Sequence, residues 1–327
     1  MNVEFHYYAV HALALEAGLD ASFARDLACA SQYVDAATVT LSLETVRGAY
    51  RIEPTQNYTF WDEAVRTEVY LPFHFLPGDA AEAAAKRRDG ARNPYAVTPN
   101  GELAKGLLLA ALRDKDPFII GVALHAFADT WAHQNFSGLM EAFNELPGSK
   151  VSALPAAGHL HAMAKPDAPD GRWRDERLVE PDIDNASRFR QAARKIYRYL
   201  CVYAGKAFGN EDLVCDRLEG IWRKPDGQER MADYVIEYGM ESWDRDAWRA
   251  EAGLPPDSSA LSGVRHYDKL SWAKAEFAKA FSAGLESIPV GTAFYSSKLY
   301  RWAEAAAEHR SRAKAALAKA GLITEKL

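Results

Sequence analysis

Apolar residues recur at helical spacing along most of the chain. Near the N-terminus, apolar residues follow His6 at intervals of four, seven and eleven residues, which places them on one helix face. This pattern predicts a first helix from Glu4 to Ala17 that ends at Gly18 and turns His6 inward. The same spacing predicts a second helix from Ser22 to Ala37.

Further helices are predicted by the same periodicity in the rest of the chain. The helix predicted to begin at Pro117 has a strong start signal, because Asp116 can cap free backbone N–H groups and Pro117 suits the first helical position. The expected ranges are Gly101–Arg113, Pro117–Phe136, Ala186–Phe208, Met231–Glu241, Ser271–Ala283 and Ser296–Ala320.

Three stretches depart from the helical pattern. Thr38–Leu43 alternates like a strand, and turn-forming residues follow it, so we predict a small irregular excursion or hairpin near 38–72. Leu71–Gly78 contains two prolines, and we predict an ordered nonhelical stretch that presents His74. Pro147–Asp184 is rich in Pro, Gly and Asp and predicts a long loop, a kind of segment that is often functional.

The whole pattern predicts an all-α fold, a multi-helix bundle with the small excursion just described. No internal repeat, low-complexity linker or break in composition divides the sequence. Its 48% hydrophobic content, with 11% aromatic residues, can fill a large core. We therefore expect residues 1–327 to form a single helical domain.

Charge and hydropathy exclude some classes of partner. Lys and Arg number 39 against 45 acidic residues, a net charge of -6 without any basic block, so we expect no extended nucleic acid as partner. The apolar runs are too short or too interrupted by charge for a transmembrane segment, and the N-terminus lacks the basic region of a signal peptide. These features predict a cytoplasmic protein. They do not indicate its oligomeric state.

Candidate chemistry begins with His125, Asp129 and His133, which follow one another at intervals of four residues. Each step turns about 40° around a helix and rises about 6 Å, so all three lie on one stripe. The stripe spans about 12 Å, too far for both imidazoles to reach one ion at metal–nitrogen distances of about 2 Å. The geometry favours two ions with Asp129 between or near them. Paired ions suit displacement at phosphorus.

The alternative is that these three side chains are buried polar groups satisfied by hydrogen bonds. Three such groups on one stripe of an otherwise apolar helix are costly to bury without a compensating charge. The three cysteines show no C-x-x-C spacing, so a thiolate zinc site is not predicted. We therefore favour metal binding by histidine and aspartate.

Other segments offer further ligands. His6, His74 and His159 can supply imidazoles, while Asp35 near the end of the second helix and Asp167 beyond the long loop's histidines can supply carboxylates. Each histidine also has an ordinary structural explanation: a satisfied core residue for His6 and a turn cap for His74.

The remaining histidines are weaker candidates. We expect His11 and His161 to face solvent or to hydrogen-bond a ligand, and His309 to be structural. Whether His159 or His161 is the ligand from the long loop stays open at this point.

Four motifs stand in order along the chain, at Phe5–Tyr8, Ser31–Asp35, Pro72–Phe75 and His125–Gly138. In these motifs most of the chain resembles a bacterial family of uncharacterised proteins. In the order of its candidate metal ligands, roughly the first half of the chain also resembles the zinc-dependent phospholipase C and single-strand-specific nuclease superfamily. That resemblance implies an all-helical fold with a central His-x-x-x-Asp helix.

The resemblance also implies which residues share ions. Asp129 would bridge two of them, one held with His74 and His125 and the other with His6. The cofactors would be divalent metal ions, most consistent with zinc, two or three in number.

A third ion is implied at the loop. His133 and His159 would hold it, with Asp167 as the carboxylate ligand. Asp35 would be a ligand or the base that activates water, and it is the one catalytic residue that the resemblance implies.

Two features depart from the superfamily pattern. The lipases bind a metal through a processed N-terminal tryptophan, whereas this chain begins with Met1 and offers His6 instead. Their last site uses a glutamate four residues after its histidine, whereas Met163 stands four residues after His159 and Lys165 four after His161. The third site is therefore the least certain from sequence.

Together these features predict a metal-dependent hydrolase, a phosphodiesterase of phospholipase C or nuclease type, that acts on a small phosphoester through a di- or tri-metal His/Asp centre. The alternative is a nonenzymatic protein whose structural metal sites fix the long loop to the helices. Helical phosphohydrolases with a His-Asp dipeptide are disfavoured, because no histidine here is followed directly by aspartate.

Overall fold

The computed structural model describes residues 1–57, 59, 61–256 and 287–324. Over these residues the fold is mostly helical with two small sheets, which confirms the predicted helical class. None of the helices described has both the length and the apolar composition needed to cross a membrane. The α-helices are α1 (Val10–Glu16), α2 (Ala21–Ala36), α3 (Glu63–Val65), α4 (Ala80–Lys86), α5 (Glu102–Asp114), α6 (Pro117–Ala132), α7 (Asn185–Tyr203), α8 (Glu211–Trp222), α9 (Gly227–Tyr238), α10 (Ala247–Glu251) and α11 (Lys298–Lys319).

Two segments are π-helical, with a wider turn than an α-helix. The first π-helix, Glu4–Ala9, leads directly into α1 and carries His6. The second π-helix, Arg66–His74, follows α3 and ends at His74. Wide turns of this kind occur frequently at functional sites, and here each one carries a candidate ligand.

The strands form a small sheet and a separate hairpin. β1 (Leu41–Thr45) pairs antiparallel with β2 (Gly48–Ile52), which confirms the excursion expected near 38–72. β5 (Ile288–Pro289) pairs parallel with β1 on its other side. The long loop contains the second pair, whose strands are β3 (Arg172–Arg174) and β4 (Asp182–Asp184).

The central element is α6, which is buried on nearly every side from Phe118 to Ala132. It packs against α2, α5, α7, α11 and the second π-helix. A helix that is apolar around its whole circumference is expected in the middle of a core. Its start is as predicted, because Asp116 accepts hydrogen bonds from the backbone N–H groups of Phe118 (2.8 Å) and Ile119 (3.3 Å).

The closest approach of α6 to α2 occurs at Gly121. A Cβ atom there would lie 2.3 Å from the carbonyl oxygen of Leu27 and 2.7 Å from the Cβ of Ala30. Only glycine fits this crossing. The contact brings His125, one turn further along α6, within reach of the backbone of Ser31.

The prediction of a nonhelical Leu71–Gly78 is wrong for its first half, because the second π-helix continues through Pro72 to His74. Proline normally breaks a helix, since it leaves an earlier carbonyl without its N–H partner. Here the carbonyl of Glu68, in the turn before Pro72, accepts a hydrogen bond from Arg310 Nε (3.0 Å). A tertiary contact therefore braces the turn of the π-helix that precedes the proline.

The predicted end of α6 at Phe136 is also wrong. The helix ends at Ala132, and the backbone of the following residues turns to pair with Val97, which accepts from Asn135 N (3.0 Å) and donates to the Phe136 carbonyl (2.8 Å). Asn135 adopts φ 66°, in a left-handed region where asparagine is enriched.

Other differences concern whole elements. The helices α3, α4, α8 and α10 were not predicted. The predicted helix Ser271–Ala283 lies outside the described residues.

Candidate metal centre

Eight candidate residues from five segments meet around α6. His6 and His74 come from the two π-helices, and Asp35 comes from the end of α2. Among the described residues they form three groups, in each of which the ligand atoms lie within 4.8 Å of one another, and two of the groups share His125. The groups are His6, His125 and Asp129; Asp35, His74 and His125; and His133, His159 and Asp167.

Backbone carbonyls fix the rings of His74 and His125. His125 Nδ1 lies 2.9 Å from the carbonyl of Ser31, and His74 Nε2 lies 2.9 Å from the carbonyl of Thr55. Since a carbonyl can only accept, each of these nitrogens carries the proton. In the neutral rings, His125 Nε2 and His74 Nδ1 therefore hold lone pairs. This anchoring of one nitrogen by a carbonyl is usual for histidines that bind metal.

The two unprotonated nitrogens point at each other and at carboxylates. His125 Nε2 lies 3.2 Å from His74 Nδ1, and Asp129 Oδ2 lies 3.4 Å and 3.2 Å from these two atoms. Asp35 Oδ1 completes the group at 3.7 Å from His125 Nε2 and 3.9 Å from His74 Nδ1. Four atoms that accept hydrogen bonds thus surround one point.

These separations match the spacing of ligands around one ion. Metal–ligand bonds of about 2.0–2.1 Å in a tetrahedron place the ligand atoms about 3.3 Å apart. Burial acts to lower the pKa of His74, but Asp129 and Asp35 raise it overall. A proton on His74 Nδ1 satisfies one of the contacts, whereas a divalent cation satisfies all four atoms. The group can therefore hold a metal ion.

His6 adds a third imidazole on the other oxygen of the same carboxylate. Its Nε2 lies 3.1 Å from Asp129 Oδ1, and its ring stacks on that of His125 with centroids 3.8 Å apart. Burial, helped by neighbouring His125, lowers the pKa of His6 to about 3, so the ring is neutral. Its Nδ1 has no hydrogen-bond partner among the described residues. Both oxygens of Asp129 thus face imidazole nitrogens, as the oxygens of a carboxylate that bridges two ions would face their ligands.

The third group joins α6 to the long loop. His133 Nδ1 donates to the carbonyl of His74 (2.8 Å), and its Nε2 faces Asp167 Oδ1 at 3.1 Å. His159 Nδ1 donates to the carbonyl of Met163 (2.9 Å), and its Nε2 faces Asp167 Oδ2 at 3.5 Å. The two rings stack with centroids 4.6 Å apart. Of the two loop histidines that the sequence offered, the structure therefore places His159 in the group.

A strained residue supports this arrangement. Met163 has φ 57° and ψ −131°, a backbone conformation that is costly for any residue with a side chain. This conformation directs its carbonyl at His159 Nδ1. Met163 thus contacts His159 through its backbone carbonyl, and Asp167 supplies the carboxylate of the group.

The α-amino group of Met1 also lies in the centre. It contacts Asp129 Oδ1 and lies 3.4 Å from Asp167 Oδ1, so it stands between the group that contains His6 and the group that contains His159. Burial lowers the pKa of this amine, but the two carboxylates outweigh burial and raise it to about 10. Sequence reasoning expected His6 in place of a terminal amine, whereas the structure brings both to Asp129.

The family of this chain follows from its sequence. Residues 1–317 match the sequence model of a family of unknown function, DUF6765. The chain belongs to this family. No curated protein and no solved structure matches it. The eight candidate residues all lie within the matched range.

Three of the described histidines lie outside the three groups, namely His11, His161 and His309. His11 and His161 were expected either to face solvent or to hydrogen-bond a ligand; both are buried, so the first of these expectations is wrong. His161 Nε2 donates to the Leu154 carbonyl (2.8 Å), and its Nδ1 accepts from Leu146 N (3.4 Å), which makes it a structural residue of the loop. His11 lies against the ring of Tyr7.

Nearby positive groups lower the pKa of two carboxylates in the centre, Asp129 and Asp167. Burial acts to raise the pKa of Asp129, but His133 and the Met1 amine hold it well below its usual range. The pKa of Asp167 is likewise held low, against the effect of burial, by His159 and the same amine. Both carboxylates are therefore ionised at neutral pH and available to a cation.

Proposed function

We propose that this protein is a metal-dependent hydrolase of a small phosphoester, with a fold of the phospholipase C and nuclease kind and two or three zinc ions. The observation that carries the proposal is the set of imidazole nitrogens on both sides of Asp129. Those of His74 and His125, whose rings are held by carbonyls, face one carboxylate oxygen, and that of His6 faces the other. Nitrogen and oxygen ligands at these separations suit zinc.

The location of the carboxylates supports hydrolysis. When bound, paired zinc ions provide a nucleophile at neutral pH and stabilise charge on the entering and leaving oxygens of a phosphoester. Asp129 is almost wholly buried, whereas the side chain of Asp35 is 25% exposed and reaches the same group from the solvent side. Asp35 is therefore placed to take a proton from water, and Asp129 to hold the ligand groups together.

A second candidate function is structural. His133 stands at the end of α6, while His159 and Asp167 belong to the long loop, so an ion among them would fix that loop to the central helix. This observation favours a nonenzymatic protein with structural metal sites. Such sites are saturated by protein ligands, whereas catalytic ones keep an open position.

The test combines elemental analysis with turnover. We expect the purified protein to contain two or three zinc ions and to hydrolyse bis-p-nitrophenyl phosphate or a short-chain phospholipid. Asp35→Asn should keep its zinc and lose about 10²- to 10⁴-fold in kcat, the usual contribution of a general base. The matched control is Asp26→Asn on the same helix, where Asp26 pairs with Lys298 outside the centre.

Three outcomes separate the alternatives. Full zinc content without turnover on phosphodiesters or phosphomonoesters would favour the structural role. Loss of zinc in Asp35→Asn would make Asp35 a required ligand rather than a base. A purified protein that binds no zinc, even after reconstitution, would refute both functions.

A further inference from the structure

Two adjacent residues of α11 hold three backbone carbonyls that lie close to the centre. His309 Nε2 donates to the carbonyl of Pro72 at 3.0 Å. Arg310 Nε donates to the carbonyl of Glu68 at 3.0 Å, and its Nη2 donates to the carbonyl of Pro54 at 2.7 Å. The C-terminal helix therefore grips two segments that are far apart in sequence.

These two segments determine where the ring of His74 lies. Pro72 and Glu68 belong to the second π-helix, which carries His74 at its end. Pro54 precedes Thr55, whose carbonyl accepts the Nε2 proton of His74. Helix α11 thus supports both the π-helix that carries the His74 side chain and the segment whose carbonyl, that of Thr55, accepts from His74 Nε2.

The contacts that His309 and Arg310 make with these carbonyls lie in a well-packed region around Phe73. His309 is almost wholly buried, and its ring lies against Phe73, the residue before His74, with centroids 5.3 Å apart. The guanidinium of Arg310 lies 5.3 Å from the centroid of the same ring. Burial lowers the pKa of His309 to about 4, so at neutral pH its ring is uncharged and donates one N–H.

We propose that His309 and Arg310 are positioning residues for the metal ligand His74, which they hold in the orientation that turns its Nδ1 toward Asp129, Asp35 and His125. Neither residue is among the three ligand groups. The inference rests on the proposed metal centre but does not require that the centre hydrolyse anything. It also explains why helix α11 packs against the second π-helix.

The experiment measures metal binding rather than activity. Full-length wild type and variants are stripped of metal and titrated with Zn²⁺ and with Co²⁺, whose visible spectrum reports the ligand geometry. His309→Leu removes the donor, whereas His309→Gln places an amide N–H near the former Nε2. Arg310→Lys keeps the charge but cannot reach both carbonyls. The control is Arg312→Met on the same helix, since Arg312 pairs with Glu308 and Asp114 at the surface, away from the centre.

We expect His309→Leu and Arg310→Lys to weaken binding of one ion about 10- to 100-fold, the usual effect of losing a group that orients a ligand. The cobalt spectrum of that site should shift. His309→Gln should restore binding, and Arg312→Met should leave it unchanged. Unchanged affinity and spectrum in both His309→Leu and Arg310→Lys, or equal loss in the Gln and Leu variants, would overturn the inference.

A second readout does not depend on metal. In ¹⁵N-histidine-labelled protein, the Nε2 proton of His74 should give a slowly exchanging signal because it is bonded to Thr55. The signal should vanish in His309→Leu and persist in His309→Gln, and its persistence in His309→Leu would count against the positioning role. If metal binding and this signal respond as expected while no phosphoester is turned over, only the hydrolase proposal fails.

Discussion

The two parts of the centre are built on different supports. The helical part consists of His6, His74, His125 and Asp129 from the π-helices and α6, whose side chains are 3% exposed or less, together with Asp35 of α2, which is 25% exposed. The loop part consists of His133, His159 and Asp167, of which His159 is 17% and Asp167 20% exposed. Both parts use backbone carbonyls to fix imidazole rings.

The difference lies in what holds those carbonyls. In the helical part they belong to Ser31 in α2 and to Thr55, which is bonded to the end of that helix through Val34 and Ala37. In the loop part the carbonyl that orients His159 belongs to a strained loop residue, Met163. Loops open locally at lower cost than packed helices. The loop part is therefore expected to release its ion first.

The largest effect is expected from Asp129→Asn, which removes the carboxylate that faces imidazoles of the helical part on both of its oxygens. Zinc affinity of the helical part should fall by more than about 100-fold, because even the loss of a group that merely orients a ligand costs 10- to 100-fold. Titration with zinc measures the change. Asp175→Asn is the control, since Asp175 is equally buried but pairs with Arg177. Retention of tight zinc binding in Asp129→Asn would contradict the shared role of this carboxylate.

Gly121→Ala should come next, because an added methyl group would force α6 away from α2 and break the bond between His125 and Ser31. Overpacking of this kind costs about 1–3 kcal/mol. Urea denaturation measures the free energy of unfolding.

The matched control is Gly106→Ala on α5, where an added Cβ meets nothing within 4 Å. There alanine should stabilise the helix by up to about 1 kcal/mol. Effects of the same sign at both glycines would argue against the close helix contact as the cause.

His159→Ala should act on the loop part alone. One zinc equivalent should be lost and the long loop should become more sensitive to a protease, while the ions of the helical part stay bound. Elemental analysis and limited proteolysis follow both changes. His161→Ala should keep all its zinc, because His161 only bonds the loop backbone. Loss of every ion in His159→Ala would show that the two parts are not separable.

The smallest effect is expected at Met163. Glycine adopts φ 57° with ψ −131° freely, whereas alanine keeps the strain, so Met163→Gly should be more stable than Met163→Ala by about 1 kcal/mol. Thermal unfolding of the two metal-free variants measures the difference. Equal stability would mean that the loop relaxes around this residue, and the carbonyl would then not be held toward His159.

Much of the helical part could be predicted from local pattern. The cap at Asp116 and the apolar face behind His6 indicate helices whose inner sides carry His6, His125 and Asp129. The loop part could not be placed by that reasoning, because it depends on where α6 ends. The stripe from His125 to His133 was expected to continue on one helix, but the pairing of Val97 with the chain after His133 ends the helix and leaves that ring facing Asp167.

Local spacing alone thus determined that this protein is mostly helical, that its central helix carries a carboxylate between imidazoles, and that histidines and aspartates lie in the segments around it. Only the tertiary structure decided which nitrogen of each ring is free, which carboxylate it faces, and how His74 stays in a helix that contains proline. The reason is physical: those features depend on carbonyls and on an arginine contributed by segments distant in sequence, and no local pattern records such contacts.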